Sequence, residues 1–435
     1  MTEMPTAISS PTPAVIRQDR GQDGYDILVL DAGSRQSLAS ARSFGKAGLR
    51  VAVGECFAEC DPELPVLAFT SRYSDRNIIL PSYADDAAAF AAGVVDFVSE
   101  HPTKVVLPTT DGAIAALIPV RERLAALGCV LALAPDPVLE IANDKDRTLA
   151  VARELGIEYP KTMRIDGVAD VPALAAAIEF PVVLKPTSSW VSQSSVRLQA
   201  VEVVNEAEAT EVIDAFTKAG AGVLAQQWVG GRREGVTMFV VDGDVRARCG
   251  HVAHRTSPAL GGASVLRESL DVPPDIFDSS ERLIRAIGLD GLCEVEYRRD
   301  SAGRPLLMEI NARIAGTIEN ALRSGVDFPL MIWLWATGQQ IDRVDSYRTG
   351  VRTRWLRGDM RWLRDNFRRV GRPDSVSRAR ALWMFGSEFA RTRYYDCLDR
   401  RDFRPVLAEL RTTVAAVANA RNPISTAQDG GRKEA

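Results

Sequence analysis

Two apolar strands with acidic residues at alternate positions flank a turn at Asp300–Gly303, and this hairpin constrains the fold more than any other segment of the 435-residue chain. Because side chains alternate between the two faces of a strand, Glu294 and Glu296 share one face of the first strand. Glu309 and Asn311 share one face of the second strand in the same way. If the hairpin closes at this turn, Glu296 lies nearly opposite Glu309. Carboxylates that face each other across a strand ladder repel, so this pairing requires a compensating positive charge.

A divalent cation would supply that charge. Mg²⁺ prefers hard oxygen ligands and is usually held by a few carboxylates together with substrate phosphates. The carboxylates of Glu296 and Glu309 and the amide oxygen of Asn311 form such a set. Arg313, on the same face, is placed to steady transferred phosphate charge. The alternative is a solvated strand face that carries glutamate by chance, which the apolar residues around it disfavour.

Two lysines provide candidate phosphate ligands. Lys185 ends the apolar run Phe180–Leu184. A lysine at the end of a buried strand is costly without an anionic partner, which an ATP phosphate would supply. Lys145 lies in the segment Asn143–Arg147 at the start of a predicted helix, where backbone amides and the helix dipole also favour phosphate. Taken alone, Lys145 fits a surface lysine of a helix better than a ligand.

The N-terminal part of the chain alternates short apolar runs with helical patterns, which predicts a small open parallel α/β domain over residues 24–135. The turn after its first strand has a single glycine, Gly33, so no dinucleotide site is predicted. Asp111 follows a strand at the edge where ligands often approach such sheets, although a helix N-cap is the favoured role. The strand candidates are Ile27–Leu30, Val51–Val53, Val105–Leu107 and Val130–Leu133.

Composition is that of an ordinary globular protein, with 46% hydrophobic residues and a net charge of −4, so no nucleic-acid partner is predicted. Of the six cysteines only Cys56 and Cys60 lie close together, which disfavours zinc and fits thiols in a reducing cytoplasm. The sequence shows no signal-peptide pattern and no apolar stretch of membrane-spanning length, so a cytoplasmic location is predicted. Residues 1–23 and 422–435 are polar and aperiodic, and both segments are predicted to be disordered.

From about residue 140 the pattern changes to short strands joined by hairpin turns with helices between them, which predicts an α+β domain over residues 136–345. Within it, the segment Met308–Arg313, preceded by an acidic strand at Val295–Tyr297, resembles the Glu-x-Asn-x-Arg signature of the ATP-grasp superfamily of carboxylate–amine ligases. The resemblance covers roughly residues 24–340. It implies an ATP-grasp fold preceded by a small parallel α/β domain.

The resemblance assigns roles to individual residues. It implies that Glu296, Glu309 and Asn311 bind one or two Mg²⁺ ions, with Mn²⁺ as an alternative, and that Arg313 contacts the reacting phosphate or acyl group. Lys145 and Lys185 match the two lysines that hold ATP phosphates. The hinge strand that contacts adenine is matched by Gln226, Gln227, Trp228 and Val229. The acid that binds the ribose hydroxyls is matched by Glu234.

The sequence departs from the ATP-grasp pattern at two places. The loop that follows the second lysine, Thr187–Ser195, has no glycine, whereas relatives usually cover the phosphates there with a glycine-rich loop. Serine hydroxyls can donate hydrogen bonds to phosphate, so the loop can still bind the phosphates, but without glycine its backbone approaches them less closely. Gln226 stands where relatives often carry an acid, which alters the contact to the adenine amine.

The segment His251–Ser264 is a candidate acyl-substrate loop. Similar ligases place an arginine and a Gly-Gly pair near the acyl substrate and the γ-phosphate, which Arg255, Gly261 and Gly262 match. A metal-binding pair of His251 and His254 is disfavoured because the flanking sequence indicates strand and loop. An ordinary hairpin with a flexible loop is the other alternative.

These residues together predict an ATP-dependent enzyme that joins a carboxylate to an amine through an acyl phosphate and releases ADP and phosphate. Its partners would be small-molecule acid and amine substrates, and a homodimer is compatible with the sequence. Two alternatives stay open: an ATPase that uses bicarbonate, similar to carboxylases or carbamoyl-phosphate synthase, and a nucleotide-binding scaffold without turnover.

The region 346–421 is rich in arginine and tryptophan and is predicted to be a helical extension. Its basic, aromatic composition has three interpretations. It could bind an anionic membrane surface on the inner face of the membrane, dock to an acidic polymer or carrier, or pack on the body of the enzyme with its arginines solvated or paired. The last of these is favoured, because the aromatic residues form no clean helical stripe.

Overall fold

The computed structural model describes residues 24–59, 64–258, 262–368 and 372–419, so the predicted disordered arm and tail lie outside the described residues. The first domain contains a five-stranded sheet of order β3-β2-β1-β4-β5 in which every pairing is parallel. The predicted open parallel α/β sheet is therefore confirmed. Its strands are β1 (Tyr25–Val29), β2 (Val51–Glu55), β3 (Arg76–Ile79), β4 (Thr103–Leu107) and β5 (Val130–Leu131).

Helices cover both faces of this sheet, as the apolar strands require. Ser34 caps the first helix by accepting a hydrogen bond from the Ser37 amide, and Thr110, not Asp111, caps the third. Asp111 is the first residue inside that helix, which leaves its carboxylate free to point elsewhere. The helices are α1 (Arg35–Lys46), α2 (Ala87–Glu100), α3 (Asp111–Leu117), α4 (Arg121–Ala126) and α5 (Asp136–Ala142).

A four-stranded antiparallel sheet of order β10-β7-β11-β6 follows, with its own apolar core. A separate two-stranded hairpin, β8 with β9, follows β7 in the chain, and of the three helices of this region the last two pack on the sheet. The strands are β6 (Thr162–Ile165), β7 (Val182–Pro186), β8 (Trp190–Val191), β9 (Val196–Arg197), β10 (Val201–Val203) and β11 (Val223–Gln227), and the helices are α6 (Lys145–Glu154), α7 (Val171–Ala177) and α8 (Glu206–Lys218).

The largest sheet has seven strands in the order β16-β15-β12-β13-β14-β17-β18. All its pairings are antiparallel except that of β17 with β18. Three helices lie against it or join it to the first domain. The elements are β12 (Arg233–Val241), β13 (Asp244–Ser257), β14 (Ala263–Leu270), α9 (Pro274–Ile287), β15 (Gly291–Arg299), β16 (Pro305–Asn311), α10 (Ile318–Ser324) and α11 (Phe328–Ala336).

The C-terminal region is not helical throughout, because β17 (Arg352–Arg354) and β18 (Tyr394–Tyr395) extend the large sheet. Trp362 is buried with Val265 and Ala381, so part of the aromatic content packs on the body of the protein. None of the helices in the described ranges is long and apolar enough to cross a membrane. The remaining helices are α12 (Leu356–Arg368), α13 (Arg378–Arg391) and α14 (Arg404–Asn419).

The cysteines within the described ranges, Cys56, Cys129, Cys249, Cys293 and Cys397, are buried free thiols. Cys60 lies outside those ranges. Burial raises the pKa of the thiols of Cys56, Cys129, Cys249 and Cys293 to about 12, so they are protonated and unreactive at neutral pH.

Candidate active site

A cleft of about 800 Å³ lies where the first domain, the four-stranded sheet and the seven-stranded sheet meet. The large sheet contributes the predicted metal ligands, and the four-stranded sheet contributes Lys185 and the hinge. Most of the predicted site residues line this cleft: Lys145, Lys185, Gln226, Gln227, Trp228, Val229, Gly262, Glu296, Glu309, Asn311 and Arg313.

The hairpin of β15 and β16 has the expected register. Glu296 pairs directly with Glu309, and Glu294 pairs with Asn311, so both pairs face the cleft. A β-bulge follows Glu296, between it and Tyr297, and it shifts the pairing of the remaining residues by one. The bulge therefore lets two carboxylates stand opposite each other while Tyr297 keeps its place in the apolar core.

The surroundings of these two carboxylates shift their pKa values in opposite directions. Burial raises the pKa of Glu296 to about 7, and the nearby carboxylates of Glu309 and Glu294 add to the rise, while an ion pair with Arg233 opposes it. Burial alone would also raise the pKa of Glu309, but Lys145, Lys185 and Arg233 outweigh it and hold that pKa below its usual range. Glu309 therefore ionises more readily than Glu296, and a cation bound beside Glu296 would lower the pKa of Glu296.

The donor set fits a hard divalent cation. Two carboxylates and an amide oxygen meet on adjacent strands, and burial together with the neighbouring carboxylates raises the pKa of Glu296, a cost that a bound cation would offset. In the described part of the chain, no group of three or more His, Cys, Asp or Glu residues forms a metal site by itself. Glu296, Glu309 and Asn311 could hold Mg²⁺ only together with oxygens of a substrate, as is usual for this ion.

Lys145 begins α6, as predicted, because the Asp144 side chain caps the helix by accepting from the Arg147 amide. Its Nζ lies 3.3 Å from Oγ of Ser189 and 3.9 Å from Oε2 of Glu309. Its backbone amide donates to the carbonyl of Thr187, so the helix start is tied to the serine loop. This arrangement places the ammonium between the loop and the carboxylate pair.

Lys185 lies on β7 and donates from Nζ to Oε1 of Gln226 at 2.6 Å. Burial lowers the pKa of Lys185 to about 8, and only Glu309 among the strongest influences opposes the fall. The Gln226 amide in turn donates to Oγ1 of Thr162 at 3.1 Å. Gln226 is therefore a buried positioning residue for Lys185, and its neutral side chain leaves that lysine without a full counter-charge.

The serine loop closes over the cleft through its hairpin. The Trp190 ring packs edge-on against Tyr83 of the first domain, with ring centroids 5.1 Å apart. Arg197 on β9 forms an ion pair with Glu59 of the same domain at 2.6 Å. These contacts hold the loop against the first domain without any glycine in it.

The hinge segment 226–229 lines the same wall. The Trp228 ring packs so closely against Gly230 that a Cβ at that position would lie 2.1 Å from the ring, so only glycine fits there. The Val229 carbonyl accepts a hydrogen bond from Arg298 on β15 at 2.8 Å. This bond ties the hinge to the sheet that carries the carboxylates.

Two predicted residues do not reach the cleft. Glu234 is buried on the opposite face of β12, where it pairs with Arg299 at 2.7 Å and Arg232 at 3.0 Å. Arg255 is also buried, and its guanidinium donates to both carboxylate oxygens of Asp359 at 2.7 Å. Its role in this structure is to attach α12 to the large sheet.

The loop predicted to face the acyl substrate is only partly described. Gly261 lies outside the described residues, whereas Gly262 lines the cleft and its carbonyl accepts from Arg233 at 2.7 Å. His251 and His254 form no pair: His254 lies 2.9 Å from Glu268, whereas His251 lies 3.9 Å from Glu294. Burial lowers the pKa of His251 to about 4, so this ring is neutral at physiological pH.

The structure adds candidate site residues that the motifs missed. Arg233 faces the cleft where Glu234 was expected, and the alternation of side chains along β12 is the signal that could have found it. Asp111, at the carboxyl edge of the first sheet, forms an ion pair with Arg313. Because the two residues are 202 positions apart, no local pattern could have indicated this contact.

Comparison with known proteins places this cleft in a family context. Residues 250–358 match a family described as ATP-grasp in the biosynthetic pathway with Ter operon. Among curated proteins, the D-alanine–D-alanine ligase of Ectopseudomonas mendocina is 25% identical over 215 residues, which is 44% of this chain and 64% of the relative. The same enzyme from Methylococcus capsulatus is 23% identical over 218 residues, 44% of this chain and 65% of the relative. The chain thus spans just under two thirds of the length of these relatives.

Solved structures share the fold. An L-amino acid ligase from Bacillus licheniformis matches 74% of this chain and 79% of its own, with a TM-score of 0.56 and 18% identity. A biotin carboxylase from Campylobacter jejuni matches 75% of this chain and 74% of its own, with a TM-score of 0.59 and 15% identity. The predicted ATP-grasp fold with its preceding parallel α/β domain and a largely helical C-terminal part is confirmed.

Proposed function

We propose that the chain belongs to the ATP-grasp superfamily and is an ATP- and Mg²⁺-dependent ligase that joins a carboxylate to an amine. One observation carries the proposal. Lys145, Lys185 and the Glu296, Glu309 and Asn311 cluster line the same cleft, and Nζ of Lys145 lies 3.9 Å from Oε2 of Glu309. Cations beside cation ligands in one cleft suit a triphosphate with its metal better than a neutral ligand.

In the proposed reaction, a carboxylate oxygen of the substrate attacks the γ-phosphorus of ATP, and the bond from that phosphorus to the β–γ bridging oxygen breaks. ADP leaves and an acyl phosphate is formed. The nitrogen of an amine then attacks the carbonyl carbon, phosphate leaves, and the nitrogen loses a proton. No residue of the protein becomes covalently attached, so the scheme needs no Ser or Cys nucleophile.

The side chains of the cleft have distinct tasks in this scheme. Lys145 and Lys185 bind phosphoryl oxygens, and the serine loop, through Ser189 beside Lys145, excludes water and adds hydroxyl donors. Arg313 contacts the transferred phosphoryl or acyl group, held in place by Asp111. Mg²⁺, or Mn²⁺ in its place, would when bound by Glu296, Glu309 and Asn311 offset the charge on the phosphoryl oxygens.

The hinge is the proposed adenine site. The backbone of Trp228 and Val229 would contact the base edge, and Gln227, the exposed end of β11, borders it. Neither Glu234 nor Arg255 has a part in this proposal, since both are engaged elsewhere. Binding of phosphate would raise the pKa of Lys185, because an anion would replace the neutral Gln226 amide as its partner.

The proposal is tested by ADP release during incubation with Mg²⁺, ATP and a panel of paired acids and amines, and by Glu309→Gln. We expect ADP release with at least one pair, and its loss in the variant. Glu154→Gln, at an exposed helix position remote from the cleft, is the matched control and should keep full activity. Bicarbonate-dependent ADP release without an amine would support the carboxylase-like alternative. Tight Mg²⁺–ATP binding without turnover for any pair would support the scaffold.

A peripheral contact of the C-terminal region is a second proposal, and one observation favours it. Leu382, Trp383 and Phe389 on α13 are exposed, with Trp383 at 63%, and the arginines Arg378 and Arg391 lie at the ends of that helix. Basic helices with exposed tryptophan suit an anionic lipid surface. The full chain should sediment with vesicles that contain anionic lipid and not with neutral vesicles, and Trp383→Gln should weaken that binding.

A further inference from the structure

The end of the cleft that lies away from the hinge is walled by the C-terminal region. Trp355, Arg357 and Arg361 line the cleft here, and Arg35 of the first domain lies across from them. Arg357 and Arg361 belong to a stripe of arginines along one face of α12. Successive spacings of four, three and four residues place them on the same side of the helix: Arg357, Arg361, Arg364 and Arg368.

Contacts connect this wall to the carboxylate cluster. Thr317 donates to Glu294 beside the metal ligands, and the neighbouring Gly316 carbonyl lies 3.4 Å from Nη1 of Arg35. The guanidinium of Arg35 stacks over the Trp355 ring at 4.0 Å, and that of Arg361 lies 5.7 Å from the same ring. The arginine wall and the proposed chemical centre therefore border one continuous cleft.

Carboxylates pair with some of the arginines at this end of the cleft. Arg35 is neutralised by its ion pair with Asp396, and Asp365 pairs with Arg364. Arg361 makes no ion pair with any carboxylate in the described ranges. Partial burial, together with the guanidiniums of Arg357 and Arg364, lowers the pKa of Arg361.

The acid at this end does not offset Arg361. Glu409 also lines the cleft, but it accepts a hydrogen bond from Nε1 of Trp355 at 2.8 Å. Burial raises the pKa of Glu409 above its usual range. An arginine that faces a cleft without a carboxylate partner in the described ranges, as Arg361 does, is a site for an anion.

We propose that Arg357 and Arg361 bind a second anionic group of the acyl substrate, a carboxylate or a phosphate, at the end of the molecule opposite the carboxylate that is activated. This rests on the proposed ligase function and specifies its substrate class. The C-terminal region then selects the substrate, because α12 supplies both arginines. Planar guanidiniums suit either anion, since each can donate two hydrogen bonds to adjacent oxygens.

Two matched pairs of probes test the site by calorimetry on the full chain loaded with MgADP. Succinate is compared with succinamate, and phosphoglycolate with glycolate, so that each pair differs in one anionic group. We expect the member with the extra anion to bind at least about tenfold more tightly in at least one pair, since a charge-assisted pair of hydrogen bonds is worth that much. The pair that discriminates identifies the group as carboxylate or phosphate.

Variants of the arginine stripe complete the test. Arg361→Gln should reduce the discrimination to less than about threefold, and Arg357→Gln should reduce it as well. Arg368→Gln, on the same stripe but outside the cleft, is the control and should retain it. The side chain of Arg361 keeps access to solvent from the cleft, so its replacement should not impair folding.

Three results would overturn the inference: equal affinities within both pairs, discrimination that survives Arg361→Gln, or loss of MgADP binding in Arg361→Gln, which would make the arginine a nucleotide ligand. Failure of the wild-type chain to bind MgADP would instead contradict the proposed function, so the two failures are distinguishable.

Discussion

Asp111 is the first residue of α3, and both oxygens of its carboxylate accept hydrogen bonds from the guanidinium of Arg313. One bond comes from Nε and the other from Nη2, at 3.1 Å. The pair joins the carboxyl edge of the parallel sheet to the end of β16. It also holds the pKa of Asp111 at about 2, because the favourable charge of Arg313 outweighs burial. The first domain thus orients the arginine that the proposed reaction places at the transferred group.

Replacing Asp111 with Asn should therefore impair catalysis more than nucleotide binding. We expect kcat for ADP formation to fall by about tenfold or more, because Arg313 loses a charged, two-point partner. The dissociation constant for MgADP should change by less than about threefold. Rates of ADP formation and nucleotide titrations measure the two effects separately.

A double-mutant cycle is the control for this positioning role. Once Arg313→Gln is present, Asp111→Asn should cost little more, so the two effects on kcat should not add. Asp111→Glu should restore part of the activity. Additive effects, or an equal loss of MgADP affinity, would show that Asp111 acts only on the stability of the fold.

Replacing each of the two facing glutamates with glutamine should change the free energy of unfolding in opposite directions. The raised pKa of Glu296 means that its ionised form is disfavoured in the fold, so in EDTA at about pH 8 Glu296→Gln should keep or raise the free energy of unfolding. The lowered pKa of Glu309 means that its charge stabilises the fold through the lysines, so Glu309→Gln should lower it by about 1 kcal/mol. Urea unfolding measures both.

Both variants should nevertheless lose ADP formation, since each lacks a proposed metal ligand. Stabilisation by Glu309→Gln, or full activity in either variant, would contradict the assignment of this pair. Such a separation of stability from activity is typical of sites that hold like charges together for function.

Binding of the metal should depend on pH through Glu296. A cation competes with the proton on this carboxyl, whose pKa is raised to about 7, so affinity should increase as pH rises from about 6 to about 8 and then level off. Mn²⁺ binding followed by electron paramagnetic resonance without nucleotide avoids titration of ATP itself. Glu296→Gln should bind more weakly and show no such rise, and an unchanged pH profile in that variant would assign the dependence to another group.

The hairpin and the start of α6 were predictable because their signals are local. The turn at Asp300–Gly303 fixes which residues face each other, and the alternation along β15 and β16 selects the face. The Asp144 cap likewise fixes the helix start at Lys145. In both cases neighbours in sequence determine the geometry, so the metal-binding and phosphate-binding parts of the candidate site could be predicted from the sequence.

The misplaced residues depend on contacts that are distant in sequence. A count of eight residues from Gln226 selected Glu234, but the face of β12 is set by its pairing with β15, where Arg233 lies opposite Arg298. Arg255 finds its partner 104 residues later in α12. The strands β17 and β18 have three and two residues, too few for any periodicity to reveal them.

The ion pair of Arg255 with Asp359 provides the last prediction. Asp359 is buried between Arg255 and Arg354, and all three side chains are at most 2% exposed. Asp359→Asn should lower the free energy of unfolding by about 3–5 kcal/mol, because it removes the negative charge between two buried guanidiniums and leaves Arg255 only the more distant carboxylate of Glu388, 3.7 Å away. The exposed pair of Arg285 with Glu281 is the control, and Arg285→Met should cost less than about 0.5 kcal/mol. Folded Arg255→Met protein should have a dissociation constant for MgADP within about twofold of the wild-type value. A larger loss of nucleotide affinity would show that Arg255 contributes to the nucleotide site.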